Sequence, residues 1–398
     1  MNHKLLPLAA ICVTMMACNK TEISNRIELP GTVDIEAFAA NVESISVENL
    51  QMEDNWAFME LMAISLSDNY LYMIENTKLQ LTCFDRKTGE KLSDRTIMGN
   101  GPGEIVEMKS LFCIGDTLCI YDEKGNILQY DNNCKYVGKK HEFSNISWRY
   151  NLTRLDNGNY AFVSITNPDA DDSNPAMMLA DKDFNIISKH FDVPQAQISI
   201  INGIDGYYVV GDTIHAIFLY GCKLYTLNGD TEQVTDLVVP NPITPEKANE
   251  LFISDDFTTL YNYDGSFFVN GGSGRFLMFS YHIGDDQYIT MDDYHTNKAT
   301  SILVSNVVDN IESTAGIVCN LLFKATPVKS ADGYFYLKIK NSDLAYLLED
   351  HDNLLDSRLK ATQASYHTYL ERNAEYIKGL DENERNEANV MIKIKLKN

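Results

Sequence analysis

A chain of 398 residues with 44% hydrophobic content is long enough to bury a large core, and its 22 tyrosines and 17 phenylalanines lean it towards sheet. The formal net charge of −23 gives a surface that repels phosphate backbones, so a nucleic-acid partner is disfavoured.

Residues 1–17 read as an export signal. Asn2, His3 and Lys4 form a short cationic start, Leu5 to Met16 is an apolar stretch too short to span a bilayer as a helix, and Ala17 is the small residue before Cys18. Ala17-Cys18 followed by the polar run Asn19 to Glu22 resembles a bacterial lipobox, with Cys18 as the lipidated residue. Acyl chains on Cys18 would hold the protein to a lipid bilayer, and more than one chain makes such an anchor stable. Residues 18–33 are polar, lack periodicity and predict a tether, leaving 34–398 as the folded domain. The location expected is the cell envelope, anchored in the outer membrane and facing the periplasm or the surface.

From Val42 the pattern becomes β, with Ile45 and Val47 alternating against Ser46 and Glu48. A unit then recurs: an apolar strand, a Gly/Asp/Asn turn, and a second strand rich in Tyr, Phe, Ile and Val. Its turns are Asp68-Asn69, Gly115-Asp116, Asn157-Gly158, Gly211-Asp212, Asp264-Gly265 and Asp332-Gly333. Four of the units continue into a second hairpin, as in Leu79 to Asp85 with Lys91-Leu92. Two hairpins every fifty residues or so are the signature of a propeller of four-stranded blades, and six units fit the length. Thr244-Pro245-Glu246 reads as a helix start inserted between the fourth and fifth units.

The C-terminus departs from the repeat. Leu355, Leu359, Thr362, Tyr366, Tyr369, Leu370, Ala374 and Ile377 fall on one stripe and predict an amphipathic helix ending near Gly379. Residues 391–397 alternate with period two, Ile392, Ile394 and Leu396 inward and the lysines outward. A closed ring must join its last blade to its first, so strands 42–48 and 390–397 are expected to complete one blade.

The stretch Gly99-Asn100-Gly101-Pro102-Gly103-Glu104 cannot lie inside a strand or helix, and it predicts a tight crossing between the first two blades. Its N–H groups could face the channel mouth and hold an anion, which makes Gly99, Asn100, Gly101, Gly103 and Glu104 the candidate binding residues. With Ile97-Met98 before it, and the strand ends Tyr121-Asp122 and Tyr130-Asp131 after it, the chain resembles the six-bladed β-propeller lipoproteins of Bacteroides-type bacteria, relatives of NHL-repeat proteins. That resemblance implies an all-β, six-bladed propeller on the cell envelope and no defined activity.

Catalytic motifs are sparse. The histidines are scattered, and neither a Gly-x-Ser-x-Gly elbow nor a phosphate loop occurs. Asp169, Asp171 and Ser173 alternate as in a calcium loop, but Asn174 and Ala180 stand where glycine and a bidentate glutamate are needed. The acid pairs 171–172, 255–256, 285–286 and 292–293 read as solvated loops. No Cys-x-x-Cys occurs, and Cys113 and Cys119 flank one hairpin, facing each other or not according to its turn. The reading favoured is a non-catalytic binding or scaffold propeller for a glycan, peptide or protein, with Trp56, Trp148 and Tyr150 able to stack on sugars. The alternative is a calcium-dependent hydrolase or lyase with carboxylates around the central channel. No other cofactor is expected.

Overall fold

The computed structural model describes residues 25–52, 61–75, 78–143, 150–164, 175–192, 206–217, 222–244, 247, 250–251, 254, 259, 262–296, 298–308 and 311–397. The chain first lays down β1 (Asn25–Glu28), β2 (Thr32–Val33), α1 (Ile35–Ala40) and β3 (Val42–Val47). Five consecutive antiparallel sheets follow. They are β4 (Leu61–Leu66) to β7 (Lys91–Thr96), with β5 at Tyr70–Glu75 and β6 at Gln80–Asp85, then β8 (Met108–Ile114), β9 (Thr117–Asp122), β10 (Asn126–Tyr130) and β11 (Tyr136–Glu142). The third is β12 (Tyr150–Arg154), β13 (Tyr160–Ser164), β14 (Pro175–Ala180) and β15 (Ile186–Asp192), and the fourth β16 (Tyr207–Val210), β17 (Thr213–Ile217), β18 (Lys223–Asn228) and β19 (Thr231–Val238). The fifth is β20 (Gly265–Ser273), β21 (Phe276–Ile283), β22 (Asp286–Asp293) and β23 (Lys298–Leu303). After α2 (Val304–Val307) and α3 (Thr314–Lys324), the sixth sheet takes β24 (Thr326–Ala331), β25 (Tyr334–Lys340), β26 (Asn389–Leu396) and, from the other end of the chain, β3. Between β25 and β26 lie α4 (Asn341–Glu349), α5 (Ser357–Arg372), α6 (Ala374–Gly379) and α7 (Glu382–Glu387).

The first strands of the sheets are innermost: β4 touches both β8 and β24, β8 touches β12, and β20 touches β16 and β24. Six blades thus surround one axis. Apolar side chains fill the layers between them, as where Tyr121, Phe143, Phe162 and Phe184 pack edge to face between blades two and three.

Closure follows from the period-two pattern at the C-terminus. β26 pairs antiparallel with β3, Ile394 opposite Ile45 and Ile392 opposite Val47. Ile392, Ile394 and Leu396 are buried, while Lys393 and Lys395 reach Glu48 (2.6 Å) and Glu43 (2.8 Å). β3 would leave an open edge, and α5 covers it. Thr362 Oγ1 donates to Ile45 O (2.8 Å), Ser365 Oγ accepts from Val47 N (2.9 Å), and Arg358 donates to Ala39 O and Val42 O. Leu359, Thr362, Tyr366 and Tyr369 are the buried stripe of this helix.

The structure corrects several expectations. The tether is shorter than 18–33, because β1 pairs parallel with β19 as a fifth strand of blade four and β2 pairs with β23 on blade five. Ile27 and Leu29 are buried there, so this segment serves as edge cover. Asp264-Gly265 is not a hairpin turn: β20 begins at Gly265 and turns at Gly274-Arg275. The Asp264 carboxylate instead accepts from Asn241 N (2.7 Å) and Gly284 N (2.8 Å), fastening the inserted connection to blade five. The expected C-terminal helix breaks at Asn373, whose amide turns to the backbone, accepting from Met52 N (2.7 Å) and donating to Leu50 O and Tyr369 O. Finally, α3 has no counterpart in the sequence reading. Ala315 to Leu322 are all buried, so the helix carries no polar face to set a period.

Candidate functional site

Antiparallel pairing gives the ring two unlike ends. Among the described residues one end holds short hairpin turns, such as 67–69, 115–116, 211–212, 274–275 and 332–333; this is the turn face. Among the same residues the other end holds the ends of the blade-to-blade crossings and the turns between second and third strands; this is the crossing face. Its connections include 97–107, 239–264, 304–325 and 341–388. In the 239–264 connection Thr244 Oγ1 accepts from Lys247 N (3.3 Å).

The glycine stretch belongs to the 97–107 connection, but it does not sit at the channel mouth. Gly103 O accepts from the buried Tyr130 hydroxyl (2.9 Å), and a Cβ on Gly103 would lie 2.3 Å from Tyr136 Cγ. Tyr130 and Tyr136 are on the third and outermost strands of blade two, so the loop wedges into the rim between blades one and two. Met98 and Ile105 bridge its base, and Gly99 N donates to Ile105 O (3.0 Å). The expected anion also meets a competitor within the loop. Gly101 N donates to Glu104 Oε2 (2.8 Å), and a Cβ on Gly99 would fall 2.1 Å from the same oxygen. Glu104 therefore fills the space above the glycines; Asn100 is exposed. Positive φ at Gly99 and Gly103 gives this sequence its structural reason.

The channel wall bears on the catalytic alternative. The six innermost strands carry no aspartate or glutamate; their charged residues are Lys109, Arg154 and Lys329. Lys329 Nζ donates to Leu111 O (3.0 Å), linking blades six and two across the channel. The ring of carboxylates is therefore not on these strands, and among the described residues no group of three or more His, Cys, Asp or Glu is placed to hold a metal. Asp169, Asp171, Ser173, Trp56 and Trp148 lie outside the described residues. Tyr150 is buried, its hydroxyl donating to Pro175 O (3.0 Å), so it offers no stacking surface.

Many acids of the turn face are spent on backbone. Asp85 Oδ1 accepts from Lys87 N and Thr88 N, Asp131 Oδ1 from Asn133 N and Lys135 N, and Asp181 Oδ1 from Asp183 N and Asn185 N. The Thr88 amide holds the Asp85 carboxyl below its ordinary range, and the Asn185 side chain does the same for Asp181. Other acids tie neighbouring blades: Asp116 Oδ2 accepts from Asn69 Nδ2 (2.7 Å), Asp212 Oδ1 from Asn157 N (2.8 Å), and Asp332 pairs with Arg86. Between blades two and three this face opens into a cavity of about 290 Å³, lined by Ile114, Lys140, Arg154, Asn157, Gly158, Tyr160 and Lys182. Sequence reasoning missed it, because its residues come from four separate stretches of chain and share no motif.

The acid pair 292–293 is not a solvated loop. Both residues lie at the end of β22, and Asp292 is fully buried with neither carboxyl oxygen hydrogen-bonded among the described residues. Burial, with Asp293 adding to it, pushes its pKa up to about 7. His215, stacked on Tyr208 and tilted against Tyr294, is pushed down to about 4 by burial and by His295. Cys113 pairs with Leu118 and Cys119 with Phe112, so the two thiols are offset by one residue and point to opposite faces of the sheet. Cys83, Cys113, Cys119, Cys134, Cys222 and Cys319 are all free.

Blade count, closure and the two unlike faces define a six-bladed β-propeller. The chain belongs to the DUF5128 family, described as a 6-bladed β-propeller, whose family model matches residues 19–316. Among solved structures it is similar to a protein of Bacteroides fragilis described as exported, with 16% identity and a TM-score of 0.63 over 94% of this chain and 100% of the other. It is also similar to a DUF4221 family member from Bacteroides vulgatus, with 8% identity and a TM-score of 0.49 over 90% and 98% of the two chains. No curated protein matches the chain.

Proposed function

We propose that the protein is an envelope-anchored binding propeller, held to the outer membrane through acyl chains on Cys18 and using its crossing face to hold a glycan, peptide or protein partner. The observation that carries this reading is the asymmetry of the two faces. Turn-face hairpins are two to five residues long in most blades and are fixed by Asp carboxylates, whereas the crossing face carries the long connections 239–264 and 341–388. Long connections on a rigid scaffold are where recognition surfaces are built. No helix among the described residues is long and apolar enough to cross a membrane, which leaves the Cys18 lipid as the anchor this reading relies on. The anchor is tested by metabolic labelling with a fatty-acid analogue: label on the wild-type chain and none on Cys18→Ser supports it, and equal labelling contradicts it. The binding role is tested by probing glycan and peptide arrays with the Cys18→Ser chain.

A further inference from the structure

The cavity on the turn face is lined by three cations and no acid, in a chain whose acids outnumber its lysines and arginines 56 to 33. Arg154 ends the innermost strand of blade three, Lys182 stands in that blade's outer turn, and Lys140 comes from the outermost strand of blade two. None of the three has a carboxylate partner among the described residues. Of the nearby acids, Asp181 is committed to the N–H groups of Asp183 and Asn185 and Asp212 to Asn157 N, while Asp156 and Asp183 do not line the cavity. Like charges gathered without counter-ions repel one another, so the cluster is stabilised by an anion that enters it. The guanidinium adds a planar fork suited to a carboxylate, sulfate or phosphate group.

The remaining lining limits the body that carries the anion. Ile114 supplies an apolar wall, Tyr160, its ring buried and stacked on Phe184 at 4.3 Å, closes the cavity with its edge alone, and the Asn157 side chain, whose oxygen accepts from Asn159 N (2.8 Å), supplies an amide donor. A volume of about 290 Å³ falls at the small end of ligand pockets, with room for one ring and its charged substituent. We infer that this cavity binds an acidic sugar unit, its carboxylate, sulfate or phosphate ester held by Lys140, Arg154 and Lys182 and its ring lying against Ile114 and the edge of Tyr160. The site is on the opposite face from the partner surface proposed above and stands or falls independently of it.

Isothermal titration of the purified full chain with glucose 6-phosphate, glucose 6-sulfate, glucuronate, inorganic phosphate and glucose tests the inference and shows which oxyanion is preferred. At least one of the three acidic sugars should bind, at least about tenfold more tightly than glucose or inorganic phosphate, and the affinity should fall as salt is raised. Lys140→Ala and Lys182→Ala, both exposed positions, should each weaken that binding by about fivefold or more while leaving the melting transition in place. Arg154→Lys, which keeps the charge and removes the fork, should weaken it as well. The inference is overturned if none of the acidic sugars binds, if glucose or inorganic phosphate binds as tightly, if only an acidic peptide competes for the site, or if the lysine variants bind like the wild type.

Discussion

Thr362 donates its hydroxyl to the carbonyl of Ile45, 2.8 Å away and 317 positions earlier in the chain. This bond fastens the C-terminal helix to the blade that β3 and β26 assemble from the two ends of the chain. Thr362→Val keeps the shape and leaves the Ile45 carbonyl buried without this donor, so it should cost about 1–2 kcal/mol in urea denaturation. Asn373→Ala, which abandons Met52 N and Leu50 O together, should cost about 2–4 kcal/mol. Deleting residues 388–398 removes β26 from between β25 and β3, and should abolish the cooperative melting transition altogether; a truncated chain that melts like the whole would contradict the closure.

The glycines of the rim loop should be unequal. At Gly103, with φ at +74°, a methyl group would collide with the Tyr136 ring, so Gly103→Ala should cost about 3 kcal/mol or more. At Gly101 the nearest obstacle is the carboxylate end of Glu104 at 3.0 Å, a flexible group, so Gly101→Ala should cost about 1 kcal/mol or less. Thermal melts of the two variants read the difference, and equal losses would contradict the wedge described for this loop.

Asp292 and His215 set opposing pH dependences. Asp292 has a folded pKa raised from 3.8 to about 7, so the stability associated with its neutral form is complete below pH 3.8 and is lost as pH rises to 7. His215 has a folded pKa lowered from 6.5 to about 4, so its contribution is present above pH 6.5 and lost as pH falls to 4. Between pH 4 and 6.5 the two slopes oppose each other. Asp292→Asn removes one of them: its stability relative to wild type should climb from pH 4 to pH 7 by up to about 4 kcal/mol and level off above. A constant difference across that range would show that the carboxyl is not held neutral.

The thiols should be inert in the folded chain. Burial pushes Cys119 and Cys319 up to about 12 and Cys134 and Cys222 up to about 11, so little thiolate exists at pH 8. Alkylation by iodoacetamide should be slow until denaturant is added, after which all six domain cysteines should react without prior reduction.

Much of the architecture was legible because a four-stranded blade writes its turns into the sequence. Gly115 and Asp332 mark hairpins because a left-handed φ is needed there, Asn157 because Asn159 N needs an acceptor, and residues 391–397 show their strand by alternation. What failed to read had no local signature. Asp264 looks like a hairpin aspartate but fastens two distant backbone segments, and α3 is buried on every side. β1 and β2 are short and polar and gain their conformation only from the edges of β19 and β23. The glycine loop disclosed its turn but not its position, since Tyr130 and Tyr136, which fix it at the rim, lie well downstream. The cationic cavity was invisible for the same reason: Lys140, Arg154 and Lys182 become neighbours only when blades two and three pack together.

The partner surface proposed is the crossing face, set apart from the cationic cavity on the turn face. Hydrogen exchange of the protein with and without an array ligand that glucose 6-phosphate, glucose 6-sulfate and glucuronate do not displace reads this directly. Protection concentrated in 239–264 and 341–388, with the hairpins at 86–90 and 131–135 unchanged, is the predicted result. Protection confined to those hairpins, with the long connections unaltered, would contradict it.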